Sequence, residues 1–111
     1  MTGISTHVLD VSTGKPVSGM QIELYDLGTQ PPTLLARTRT NGDGRTDAPM
    51  LPPNQARTGD FELRFSVAEY FRTPEVFADV VPVRFSVADA KQHYHVPLLC
   101  SPWSFGTYRG S

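Results

Sequence analysis

Phe61-Glu62-Leu63-Arg64-Phe65-Ser66-Val67 carries an apolar side chain at every odd position and a polar one at every even position. Successive side chains of a strand point to opposite faces, so this run offers one face to a core and the other to water. That is the pattern of a half-buried antiparallel strand. Val81-Pro82-Val83-Arg84-Phe85-Ser86-Val87 repeats it, and Met20-Gln21-Ile22-Glu23-Leu24 does so more briefly. Turn formers separate the runs: Thr13-Gly14-Lys15-Pro16, Asn41-Gly42-Asp43-Gly44, Pro52-Pro53-Asn54 and Thr58-Gly59-Asp60. Short alternating runs punctuated in this way predict an all-β sandwich or barrel.

Working outward from these runs, strands are expected over 3–10, 19–26, 33–40, 45–48, 60–67, 79–88 and 92–100, with a short last one over 104–108. Only 67–72 can form a helix. It has to end before Thr73-Pro74, because the residue preceding a proline avoids the α region. Pro82 cannot donate to a sheet ladder, so its strand belongs at an edge or carries a bulge. With 111 residues and no repeat or linker, residues 1–111 read as a single domain.

A formal net charge of −1 gives no reason to expect nucleic acid or an anionic membrane as partner. No apolar run approaches the roughly 20 residues of a membrane span, and residues 1–8 lack the basic and then apolar pattern of a secretory signal. Cys100 is the only cysteine, which excludes an intrachain disulfide and fits a reducing compartment. The ending Tyr108-Arg109-Gly110-Ser111 is not a peroxisomal address of the Ser-Lys-Leu type. The expected location is the cytoplasm.

The three histidines are the first candidates for chemistry. On a strand, His93 and His95 project from one face and Tyr94 from the other. Such a pair can chelate a metal, line a polar pocket where a neutral imidazole accepts a proton, or simply face solvent. A metal needs about three protein ligands, and the third here has to be His7 or a carboxylate. His7 lies in the first expected strand and gains interest only if the fold brings it near His95. Arg45 follows a glycine-rich turn, where a guanidinium either binds a planar anion through two parallel hydrogen bonds or is merely solvated. No nucleophile elbow and no phosphate loop is present. Cys100, at the end of an apolar run, reads as a small core or interface residue. The stretch 96–108 is too apolar for a free tail and is expected to pack in the core or against another subunit.

Four motifs together carry a resemblance that runs nearly end to end. They are His7-Val8-Leu9-Asp10 with Thr13-Gly14-Lys15-Pro16, Thr40-Asn41-Gly42-Asp43-Gly44-Arg45, His93-Tyr94-His95-Val96-Pro97-Leu98-Leu99, and Tyr108-Arg109-Gly110-Ser111. They resemble the transthyretin-like 5-hydroxyisourate hydrolases. Val17, Cys100 and Trp103 depart from the usual pattern, none at a matched polar position. The resemblance implies a β-sandwich of two four-stranded sheets with one short helix. It implies a homotetramer, a dimer of dimers with its sites at the dimer–dimer interface. It further implies hydrolysis of 5-hydroxyisourate to 2-oxo-4-hydroxy-4-carboxy-5-ureidoimidazoline in urate breakdown, without metal or cofactor. His7, Arg45, His95 and Ser111 match the family's catalytic positions. The same residues and Tyr108 are implied in substrate binding, and Arg109 belongs to the same terminal motif. His7 and His95 are assigned to water activation as a pair. Ser111 offers a hydroxyl and, as the last residue, a free carboxylate. The alternative is a transthyretin-type carrier of a small hydrophobic ligand, for which this set of polar residues has no use.

Overall fold

The computed structural model describes residues 2–110. Its strands are β1 (Gly3–Asp10), β2 (Lys15–Pro16), β3 (Gln21–Asp26), β4 (Thr33–Arg39), β5 (Gly59–Phe65), β6 (Val81–Val87), β7 (His93–Cys100) and β8 (Phe105–Thr107). They form two four-stranded sheets, β2-β1-β7-β8 and β4-β3-β5-β6. One short helix, α1 (Val67–Phe71), follows β5. This is the sandwich that the resemblance implies.

The three alternating runs that decided the fold class are β3, β5 and β6, and all pair antiparallel within the second sheet. Ile22, Leu24, Phe61, Leu63, Phe65, Val81 and Val83 face inward and are buried. Ile4, Val8, Tyr94, Val96, Leu98 and Cys100 meet them from the first sheet. β1, β3, β5, β6 and β7 thus each give one face to a common core. Burial pushes the Cys100 thiol up to about 12, which fits a packed apolar residue. Pro82 lies on β6, the edge strand of its sheet, where its missing N–H disrupts no inner ladder. Helix α1 ends on Arg72 in the left-handed region (φ 54), directly before Thr73-Pro74.

Two expectations need correction. Residues 45–48 are not a strand: Arg45 makes a single bridge to His7, after which Thr46 Oγ1 donates to the Ala48 carbonyl and the chain turns toward Pro49. The hydroxyl offers the backbone a local turn in place of a ladder. Conversely, Lys15–Pro16 is a two-residue strand that pairs with Leu9 and Asp10 on the edge of the first sheet. The turn before it is held by Asp10, whose carboxylate accepts from the Ser12 N–H and hydroxyl.

The pairing that positions everything else is β1 with β7, and it is parallel. Gly3 stands opposite His93, Ser5 opposite His95 and His7 opposite Pro97. Parallel pairs usually have both faces covered. Here the inner face is core, while the outer face carries Ser5, His7, His93 and His95 in one patch.

Candidate active site

The geometry of the patch follows from strand periodicity. Ser5 and His7 are two apart on β1, and His93 and His95 two apart on β7. All four therefore point away from the core, while Ile4, Thr6, Val8, Tyr94 and Val96 point into it. The Thr6 hydroxyl donates to the Val96 carbonyl at 2.7 Å beneath the patch and locks the two strands together. The His7 and His95 rings are roughly parallel, 23° apart in plane, with centroids separated by 6.5 Å.

Arg45 reaches the patch from the loop between β4 and β5. The side-chain oxygen of Asn41 accepts from the Asp43 and Arg45 N–H groups, and the Asn41 N–H donates to the Arg45 carbonyl at 2.7 Å. Gly44 makes the turn at φ 75. A Cβ there would lie 2.5 Å from the Val8 carbonyl oxygen, so the loop can press this closely on β1 only with glycine. Arg45 then bridges His7. Among the described residues its guanidinium has no ion-pair partner.

An open cavity of about 430 Å³ lies over these groups, lined by Ser5, His7, Arg45, His93, His95 and Tyr108, with Pro97 and Gly110. This volume falls in the usual range of small-molecule sites. Burial first, and then the Arg45 charge, hold both His7 and His95 below the ordinary histidine value of 6.5. His7 and His93 add to the effect on His95. At neutral pH both rings are therefore neutral and able to accept a proton. The arrangement can take a proton from water at an imidazole and stabilise a developing oxyanion at the guanidinium.

The structure thus brings together His7, Arg45, His95 and Tyr108 of the residues singled out in the sequence. Ser111 lies outside the described residues. Arg109 turns away: its guanidinium lies 4.2 Å from the centroid of the Tyr94 ring, on the far side of β7, and donates to Gln92. Ser5 was missed, although its place two residues before His7 puts it on the same strand face. His93 and His95 do share a face, but the Ser5 hydroxyl sits between them, 2.7 Å from His93 Nε2 and 2.8 Å from His95 Nδ1. Both ring nitrogens of His93 and Nδ1 of His95 are thus engaged. Among the described residues no group of three or more His, Cys, Asp or Glu is gathered as a metal site.

A sequence model described as the HIUase/Transthyretin family matches residues 4–110. A 5-hydroxyisourate hydrolase of Deinococcus radiodurans is 45% identical over 114 residues, covering 98% of this chain and 96% of that one. The crystal structure of an (S)-allantoin synthase superposes with a TM-score of 0.90 at 38% identity. It covers 98% of this chain, which spans only 43% of that longer protein. The structure of Klebsiella pneumoniae 5-hydroxyisourate hydrolase matches over the whole of both chains, with a TM-score of 0.79 at 31% identity.

Proposed function

The chain belongs to the HIUase/Transthyretin family, and we propose that it is a 5-hydroxyisourate hydrolase, opening the cyclic amide of its substrate. The observation that carries this reading is the cavity in which two neutral imidazoles, His7 and His95, lie beside an Arg45 guanidinium with no ion-pair partner among the described residues. Ring opening needs a water made nucleophilic and charge stabilised on the carbonyl oxygen as the tetrahedral centre forms. The imidazole pair takes the water's proton and returns it to the departing nitrogen. Arg45 holds the oxyanion with paired N–H donors, stronger than neutral ones. Tyr108 forms part of the wall, and Ser111 is assigned to the site by its terminal motif alone. The proposed reaction uses neither metal nor cofactor.

The proposal extends to a cytoplasmic homotetramer. Trp103, Phe105 and Tyr108 follow one another along the exposed end of the first sheet, and the Phe77 N–H donates to Pro102 beside them. Phe77 is 77% and Trp103 65% exposed, a neighbourhood of large apolar side chains better suited to burial between subunits than to water. A carrier of a hydrophobic ligand is disfavoured by the imidazole and guanidinium lining of the cavity.

The test is the ultraviolet decay of freshly generated 5-hydroxyisourate with and without protein. Acceleration proportional to protein concentration is expected. Decay at the uncatalysed rate overturns the reading.

A further inference from the structure

With His93 neutral, the hydrogen bonds that join Thr2, His93, Ser5 and His95 fix the position of every proton among them. His93 Nδ1 lies 3.1 Å from the Thr2 carbonyl oxygen. A carbonyl can only accept, so Nδ1 carries the hydrogen. A neutral imidazole has one N–H, and His93 Nε2 is therefore a lone pair. It lies 2.7 Å from Ser5 Oγ, and the single serine proton is donated to it. Ser5 Oγ then has only lone pairs to offer His95 Nδ1, 2.8 Å away. That contact is a hydrogen bond only if His95 Nδ1 is the donor. The remaining nitrogen of His95, Nε2, is left with its lone pair on a ring that lines the cavity, and among the described residues nothing bonds to it.

We propose that Ser5 and His93 are positioning residues, which hold neutral His95 in the Nδ1–H tautomer so that Nε2 is the proton acceptor. The catalytic part of this inference rests on the hydrolase reading above; the tautomer itself does not. Neither residue needs to touch the reacting atoms. Each acts through the next, and the chain is anchored at a main-chain carbonyl whose polarity cannot reverse. In the opposite tautomer Nδ1 would be a lone pair facing the Ser5 oxygen, whose only proton is already committed to His93. An unpaired contact of this kind in a half-buried site is costly. The device extends to two side chains the logic by which a hydrogen bond on one ring nitrogen determines the state of the other.

Long-range proton–nitrogen NMR on protein labelled with 15N-histidine reads the tautomers directly, above the pH at which the rings titrate and without substrate. The expected spectrum shows His93 and His95 both protonated at Nδ1. In Ser5→Ala, His95 moves toward the Nε2–H form that free histidine favours. In His93→Phe, the freed serine proton turns to His95 Nδ1 and drives the same change. Both variants are expected to lower kcat by about tenfold to a hundredfold, as lost positioning partners do, with KM within about twofold. Ser5→Thr, which keeps the hydroxyl, retains the native spectrum and most of kcat. A native His95 protonated at Nε2 overturns the proposal, and so do variants with unchanged tautomer and kcat. The spectrum of the native protein decides the tautomer even if a variant fails to fold. Failure of the native protein to consume 5-hydroxyisourate removes the hydrolase reading while leaving the tautomer to be judged by NMR alone.

Discussion

The outward faces of the two sheets are built on the same alternation and differ in how they treat charge. On the second sheet the outward charges of its middle strands are compensated by neighbouring ones. Arg37 meets Glu23 at 2.6 Å, and Glu62 accepts from both Arg64 and Arg84. The Arg64 guanidinium also covers the Tyr25 ring, 3.9 Å from its centroid. On the first sheet, β1 and β7 present imidazoles and a hydroxyl, and Arg45 arrives with no carboxylate to meet it among the described residues. Paired cross-strand charges satisfy one another and stabilise the sheet. A lone guanidinium beside two rings depresses their proton affinity and leaves a positive potential for an anionic group to fill. A face whose charges are left uncompensated is where a ligand belongs.

The contrast breaks first if catalysis survives loss of the open charges. His95→Ala and Arg45→Ala are each expected to lower kcat by at least about two orders of magnitude, the usual size for a lost general base or oxyanion partner. Far-UV circular dichroism and Tm should stay near native. Near-native rates in both variants would remove these residues from the mechanism.

Gly110 tests the same face more gently. Its N–H donates to the His95 carbonyl at 2.7 Å, and an added Cβ would lie 2.7 Å from His95 Cδ2. Gly110→Ala is therefore expected to push the ring off its position and lower kcat by about tenfold, with little change in Tm. Unchanged kinetics would mean that the ring's placement is not tight.

The next test is a titration. Burial and the Arg45 charge lower the proton affinity of His7 and His95, so activity is expected to persist below pH 6.5 and fall only as the rings charge. Removing a positive neighbour raises these values. In Arg45→Gln the NMR midpoints of both rings should therefore move to higher pH. Midpoints that do not move would show that burial acts alone.

The smallest effect is expected on the paired face. Burial opposes ionisation of Glu62, but the hydrogen bonds from Arg64 and Arg84 outweigh it and hold the carboxyl below its ordinary 4.5. The pair network then contributes stability that is complete well above pH 4.5 and is lost as pH falls through the depressed native value, because the unfolded chain takes up its proton first. Glu62→Gln should lower stability by about 1–2 kcal/mol at neutral pH, flatten part of this acid dependence, and leave kcat unchanged. Urea midpoints at pH 7 and pH 4 measure the first two, and any large loss of kcat would dissolve the distinction between the faces.

The sequence reveals these two faces unequally. Alternation located β3, β5 and β6 because antiparallel neighbours repeat a local pattern, and β1 falls on the expected 3–10. The resemblance pointed to His7, Arg45, His95 and Tyr108, which line one cavity. The expected strand at 45–48 failed because one hydroxyl turned the backbone aside, a choice made by a single side chain. Ser5 stayed hidden for a different reason. Its role depends on a parallel register with β7, and partners 88 and 90 residues away in the chain leave no local trace. A serine in a strand is unremarkable until the two imidazoles arrive on either side of it.

That separation has a consequence in time. In the second sheet the β3–β4 hairpin can form as it emerges from the ribosome, and β5 and β6 add to it once Gly59–Phe65 and Val81–Val87 have been made. β1 cannot pair with β7 until some 90 further residues have been made. At about 5–20 residues per second this is a wait of roughly five to eighteen seconds, during which β1 has only the short β2 as a neighbour in its own sheet. Because loop closure has to be completed before so distant a pairing is rewarded, the cavity is assembled last. A nascent chain can acquire the β3–β4 hairpin long before it acquires chemistry. Synthesis interrupted before His93 yields a polypeptide with His7 and Arg45 but without the strand that aligns them, so the capacity to react arises only in a chain that has been completed through β7.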